Sequence, residues 1–187
     1  MAIYSIDELK THLADGNQFE YLYFWGHKQT AGTLTKSCLS QWYLAPFEVD
    51  GITYPTAEHY MMAEKARLFD DIKALPQIIA AKDPSEAKAL GRKVKNFDND
   101  IWFKHRFEIV VRGNYSKFRN PELQEFLLNT GDRIIVEASP RDRIWGVGLG
   151  QNNEKITDPY QWGGRNLLGF ALMKVRDQLR DQYRQTP

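Results

Sequence analysis

An α+β fold is predicted, a single mostly helical domain with helices around a small β-sheet, and three observations predict it. Long segments repeat apolar residues at helical spacing. The β-like runs are short, and one alternates around Asp50-Gly51, the strongest short-range hairpin signal. No repeat, low-complexity tract or interdomain linker divides the chain, and 187 residues suit one domain with a real core.

The elements follow in order. Ser5-Ile6-Asp7-Glu8 is a capping box that opens a helix over residues 5–15, closed by Gly16. Residues 21–25 form an aromatic, β-like run ending in Trp25-Gly26, and residues 28–36 are polar and loop-like. Residues 47–54 read as the hairpin. Tyr54-Pro55-Thr56-Ala57-Glu58-His59-Tyr60 leads from it into a helix running to about Phe69, with Thr56 as N-cap. Asp83-Pro84-Ser85-Glu86 starts a further helix, closed by Gly91. A long helix runs from Asp98 or Asn99 to about Phe118, with Phe103, Phe107, Val110, Val111, Asn114 and Phe118 on its apolar face. Asn120-Pro121-Glu122 begins another helix, ended by Gly131. Residues 134–138 read as a buried strand and residues 144–148 as extended structure. Asn166 opens the last helix, striped by Leu168, Leu172, Val175 and Leu179.

Composition excludes several classes of function. The formal net charge is +1, which gives no basic bias for bulk phosphate-backbone binding. A single cysteine, Cys38, allows neither a disulfide framework nor a Cys-rich zinc site and fits a reducing compartment. No signal peptide and no stretch of about 20 apolar residues is present, so no membrane partner is expected and the cytoplasm is the expected location. There is no P-loop, no Gly-x-Gly-x-x-Gly, no His-Glu-x-x-His and no Gly-x-Ser-x-Gly. The four histidines are scattered, so neither a metal nor a cofactor is expected.

What remains is carboxylates, cations and aromatics beside glycine. Glu58 falls in the first turn of its helix, where a carboxylate complements the dipole. It shares a face with Met61, Met62 and Lys65. Arg92 follows a helix end, where it reads equally as a dipole-complementing cation and as a phosphate ligand. Trp25-Gly26 and Trp145-Gly146 each join an indole for stacking to a glycine that admits close backbone approach. With Glu58, Lys65, Arg92 and Asn166, these pairs are the candidate lining of a pocket for a base, a sugar and a phosphate, and Trp102 and Asp142 are further candidate substrate-binding residues.

The run over residues 23–179 resembles the NADAR superfamily, which includes the YbiA-type N-glycosidases. The resemblance rests on Phe24-Trp25, Leu39-Ser40-Gln41-Trp42 with Phe47, Tyr54 to Tyr60, and Ala63-Glu64-Lys65-Ala66. It continues through Ala89-Leu90-Gly91-Arg92, Asp142-Arg143-Ile144-Trp145-Gly146-Val147-Gly148 and Gly164-Arg165-Asn166-Leu167-Leu168-Gly169. It implies one YbiA-like domain over residues 1–187, with a core of about 21–180 and the first helix appended. It also implies hydrolysis of an N-glycosidic bond between ribose and a base. The substrate would be nucleotide-like, either a ribosylamino-pyrimidine phosphate of riboflavin synthesis or ADP-ribosylated guanosine, the latter extending to ADP-ribosylated nucleic acid bases. The YbiA type often carries Asp after Trp-Gly. Val147 stands there in this chain and tilts the expectation toward an ADP-ribose-type substrate.

The implied roles follow from the chemistry. Cleaving the C1′–N bond develops positive charge on the ribose. Glu58, as a carboxylate, would stabilise that charge or orient water, and as a buried acid would donate a proton. Lys65 would attack the ring-opened imine as a Schiff-base nucleophile. Arg92 would grip phosphate, Trp145 and Trp25 would stack the base, and Asn166 and Asp142 would face sugar hydroxyls or an arginine. The alternative is a non-catalytic module that binds ADP-ribose or NAD without cleaving it.

Overall fold

The computed structural model, which describes residues 2–185, has the predicted α+β fold, and its chain contacts gather into two compact units. The first joins Met1–Ser40 to Pro121–Pro187, and the second is the continuous stretch Gln41–Asn120 between them. The predicted small sheet becomes two separate two-stranded pieces, one in each unit.

In the first unit, helix α1 (Ile6–Ala14) starts as its capping residues predict, with Ser5 Oγ accepting from the Glu8 N–H at 3.2 Å. Strand β1 (Tyr21–Phe24) pairs in parallel with the later β4 (Ile134–Glu137), in a register that runs from Tyr21 opposite Ile134 to Phe24 opposite Glu137. A parallel pair needs a long crossover. Here the whole of the second unit and α6 (Pro121–Leu128) lie between the two strands in sequence. Ile134, Ile135 and Val136 are all buried, as an apolar run without alternation implies. Helix α7 (Leu167–Gln185) packs on β4 through its predicted stripe, with Leu168, Leu172, Val175 and Leu179 buried.

Residues 144–148 are not extended, contrary to the sequence reading. They form a bend whose backbone is held by side-chain and long-range bonds rather than by a ladder. β-like residue types cannot make a strand without a neighbour to pair with, and that neighbour is not set locally.

The second unit begins with the hairpin of β2 (Phe47–Val49) and β3 (Ile52–Tyr54), with Phe47 opposite Tyr54. Asp50 and Gly51 carry φ of 52° and 76°, the two left-handed positions that a type I′ turn requires. Helix α2 (Ala57–Leu68) is the centre of this unit. It packs against β3, α3 (Ala74–Ile79), α4 (Pro84–Gly91) and α5 (Asn99–Lys117).

Two glycines set the helix spacing. A Cβ at Gly91 would lie 2.1 Å from Met62 Sδ, and one at Gly113 would lie 2.4 Å from the Tyr60 ring. The α2 N-terminus is fixed by Thr56, whose Oγ1 accepts from the His59 N–H at 3.3 Å. His59 is buried, with its ring 2.8 Å from Thr56 Oγ1 and 3.0 Å from the Ala81 carbonyl. Only Nε2–H can meet a carbonyl acceptor, so Nδ1 takes the Thr56 hydroxyl proton and the ring is a structural strut. Helix α3 lies in a stretch for which no element was predicted. Its start is held from outside by Asp71, whose Oδ1 accepts from Ala74 N at 3.1 Å while Oδ2 accepts from Lys95 N at 2.9 Å.

Candidate functional site

The predicted residues fall into two groups, one in each unit. The second unit holds Glu58, Lys65, Arg92 and Trp102. The first holds Trp25, Gly26, Asp142, Trp145, Gly146 and Asn166.

Glu58 sits in the first turn of α2 as predicted, but it is not an exposed helix-start carboxylate. Only 2% of its surface is exposed, and α2 buries Ala57, His59, Tyr60, Met61 and Met62 around it. Its N–H donates to the Gln41 carbonyl at 2.9 Å, which joins the helix start to the preceding chain. Seven residues on, about 10 Å along the helix axis at 1.5 Å per residue, Lys65 lies on the same face. Lys65 Nζ donates to the Gly91 carbonyl at 2.9 Å, at the end of α4. The same nitrogen stands 4.1 Å from the Phe97 ring centre and 5.7 Å from that of Trp102.

Burial, and then the Arg92 charge, hold the Lys65 pKa below the usual lysine range. A desolvated lysine next to a second cation keeps more of its amine neutral near pH 7 and is a better nucleophile for it. Arg92 is the C-cap of α4 and is exposed, so its guanidinium is open to an anion. Trp102 is largely buried in the first turn of α5 and acts as a wall to Lys65 rather than as a free stacking surface.

In the first unit the parallel strands end together, with Phe24 accepting from the Ala138 N–H at 2.8 Å. Trp25 and Gly26 follow at once. Trp25 is 64% exposed, and Gly26 has φ of 83°, a turn that side chains disfavour. After β4, Asp142 Oδ1 accepts from the N–H groups of Ile144 and Trp145, both at 2.8 Å. Asp142 therefore shapes the loop that carries Trp145. The Val147 N–H returns to the Glu137 carbonyl at 3.0 Å, so this loop closes on the carboxyl end of β4. Trp25-Gly26 and Trp145-Gly146 thus stand at the same end of one parallel pair.

The predicted use of Gly146 shifts. A Cβ there would meet the Glu137 carbonyl at 2.9 Å, so the close backbone approach that glycine permits is to the protein's own strand. Val147 is wholly buried, so its side chain answers to packing.

Asn166 needs a correction. It is wholly buried, its Oδ1 accepts from Glu137 N at 2.9 Å, and its Nδ2 donates to the Ile135 carbonyl at 2.8 Å. Its φ of 53° lies in the left-handed region, which asparagine tolerates. Both ends of the carboxamide serve β4, so Asn166 locks α7 to the strand and does not face ribose. Asn166→Ala is expected to cost about 2–3 kcal/mol by leaving strand groups unpaired. Urea denaturation checks this, and a loss below about 0.5 kcal/mol would put the lock elsewhere.

A cavity of about 950 Å³ in the first unit holds none of the predicted residues. Its arginines are turned on its own loop. Arg176 donates to the Arg133 carbonyl at 2.9 Å and Arg180 to the Gly131 carbonyl at 2.7 Å, and burial, with Arg180 adding, pushes the Arg176 pKa down to about 10. Nearby Asp132 and Asp177 neutralise Arg180. That chemistry pins a loop, whereas the α2 cluster joins a buried carboxylate to a lysine of lowered pKa. Among the described residues, no group of three or more His, Cys, Asp and Glu has the arrangement to hold a metal ion, and no helix is long and apolar enough to cross a membrane.

Two polar residues in the second unit were missed by sequence reasoning, Gln41 and Asn114, both buried and bonded to each other at 2.7 Å. One signal was present: Asn114 is a polar residue in the middle of an otherwise apolar stripe.

Comparison with known proteins shows what the chain as a whole is similar to. The NADAR domain description matches residues 23–180 and so spans both units. An N-glycosidase of Acanthamoeba polyphaga mimivirus is 43% identical over 166 residues, covering 85% of this chain and 96% of that protein. A riboflavin biosynthesis protein of Vibrio vulnificus is 32% identical over 146 residues, covering 76% of this chain and 35% of that protein. The NMR structure of the E. coli protein YbiA superposes with a TM-score of 0.70 at 26% identity, covering 91% of each chain.

Proposed function

The chain belongs to the NADAR domain family, and from that premise we propose that it is an enzyme hydrolysing the N-glycosidic bond between ribose and a nitrogenous base. The observation that carries the proposal is the pairing on α2 of a buried Glu58 with a Lys65 whose pKa is lowered, beside an exposed Arg92. The names of the mimivirus and Vibrio relatives point the same way.

The chemistry divides among these groups. A carboxylate in a site shielded from water acts more strongly on charge that develops beside it, and an oxocarbenium-like ribose is such a charge. Glu58 supplies that carboxylate. In the ring-opened form of the substrate, C1′ is an imine carbon. The neutral Lys65 amine adds to it, the base leaves with a proton, and water then releases the sugar aldehyde and restores the amine. Arg92 binds the substrate phosphate as a bidentate donor. ADP-ribosylated guanosine is the favoured substrate and a ribosylamino-pyrimidine phosphate the second. Offering both, with NAD, to the purified protein and chromatographing the released base tests the proposal. Release of a free base from any of the three is the result expected. Ligand-induced thermal stabilisation without release would support the binding-module reading instead.

The Lys65 step has its own tests. Borohydride added during turnover should leave a sugar adduct on Lys65, visible by peptide mass spectrometry. An active enzyme with no adduct rules the step out. The Arg92 charge holds the Lys65 pKa down, so Arg92→Gln should raise it. Activity that needs the neutral amine rises with pH through that pKa, so this limb of the pH–rate profile should move to higher pH. A limb that stays in place contradicts the assignment.

A further inference from the structure

Gln41 and Asn114 form a pair whose unused atoms match one chemical group. The Gln41 backbone carbonyl accepts the Glu58 N–H at 2.9 Å, and its side-chain Oε1 accepts from Asn114 Nδ2 at 2.7 Å. Asn114 Nδ2 also donates to the Val110 carbonyl at 2.9 Å. Both protons of that amide are therefore used, and this fixes how the two carboxamides face. Turning Asn114 over would set its oxygen against a carbonyl.

With the orientation fixed, Gln41 Nε2 is a donor and Asn114 Oδ1 an acceptor. Each is buried and has no hydrogen-bond partner. Buried amide atoms are nearly always paired, because an unpaired one forfeits its hydration. A donor and an acceptor left over on one bonded pair are satisfied together by a single hydroxyl, which accepts one hydrogen bond and donates another. The pair is tied by backbone to the residue proposed as the catalytic carboxylate.

Resting on the reading of Glu58 given above, we propose that Gln41 and Asn114 bind one hydroxyl oxygen beside Glu58, which accepts from Gln41 Nε2 and donates to Asn114 Oδ1. That hydroxyl comes either from the substrate ribose or from the attacking water. Both sources share this chemistry, and neither an ammonium nor a carboxylate has it.

The test uses the full chain carrying Gln41→Leu and Asn114→Leu together, with Gln41→Met alone as a milder variant that leaves the Asn114–Val110 bond in place. Replacing both partners of a buried pair by apolar groups of similar size is close to neutral for stability, so the melting temperature should hold. Base release should fall about 10- to 100-fold, the range that one lost buried hydrogen bond commands.

Calorimetry with ribose 5-phosphate and 2-deoxyribose 5-phosphate separates the two sources. If the ribose supplies the hydroxyl, wild type prefers ribose 5-phosphate and the double variant loses that preference. If water supplies it, wild type shows no preference, and the variants lose kcat with KM unchanged. The proposal is overturned if the variants keep wild-type kcat and KM, or if activity falls only in step with melting temperature. Glu58→Gln is assayed in parallel. An active Glu58→Gln removes Glu58 from the mechanism and with it the reading this inference rests on, whereas an inactive one beside a fully active double variant defeats this inference alone.

Discussion

Glu58→Gln should lower base release by about 10²–10³-fold while leaving the fold in place, the size of effect seen when a preorganised electrostatic group is removed from a reacting centre. The substitution keeps the side chain's volume, removes its capacity to be anionic and turns one acceptor oxygen into a donor. Glu58 is 2% exposed. An isosteric change there opens no cavity, and burying an amide is less demanding than burying a carboxylate. The melting temperature is therefore expected to hold or rise slightly. Glu58→Asp keeps the charge and withdraws it by one methylene, so its activity should fall between the two. A Glu58→Gln protein that unfolds at markedly lower temperature would make Glu58 a structural carboxylate. One that folds and turns over normally would remove it from the mechanism.

The largest structural effect is expected at Gly169→Ala. In a helix interior alanine is favoured over glycine by about 1 kcal/mol, so propensity alone predicts a stabilised protein. Packing predicts the reverse. The new Cβ would lie 2.0 Å from the Ile135 carbonyl oxygen and 2.5 Å from the Asn166 carboxamide. Neither neighbour yields easily, since one is strand backbone and the other is bonded at both ends. Helix α7 would have to withdraw from β4, at a cost of about 3 kcal/mol or more. Sterics win over propensity by about 2 kcal/mol or more, and urea denaturation should show a lower midpoint. Gly150→Ala is the control. Its Cβ meets nothing within 4 Å, and the change should stay within about 0.5 kcal/mol. Equal stability of the two variants would contradict the packing account.

Features decided by neighbours in sequence were legible. The Asp50-Gly51 turn, the Thr56 cap and the Asp83-Pro84 helix start each depend on a few adjacent residues, and each stands where predicted. Glu58 and Lys65 sharing a face of α2 follows from helical spacing alone. Features decided by distant partners were not legible. Residues 144–148 bend because Asp142 and Glu137 claim their N–H groups, which no local pattern encodes. Asn166 has the composition of a ligand-binding residue, yet β4, some 30 positions earlier in the chain, occupies its whole amide. The burial of Glu58 was not legible, because the residues that pack on it are not set by its own helix. The grouping of contacts into two units is likewise set by distant partners. A parallel strand pair that encloses Gln41–Asn120 in sequence leaves no Pro- or Gly-rich seam to mark it.

Product stoichiometry tests the central claim most directly. With the protein in excess over ADP-ribosylated guanosine, a single turnover followed to completion by chromatography should show one free guanosine and one ADP-ribose for each substrate consumed, guanosine no later than ADP-ribose, and neither product over the same time with Glu58→Gln. A melting temperature raised by the same compound, with that compound, NAD and a ribosylamino-pyrimidine phosphate all recovered intact after long incubation, would make this chain a reader of ADP-ribose and contradict its assignment as an N-glycosidase.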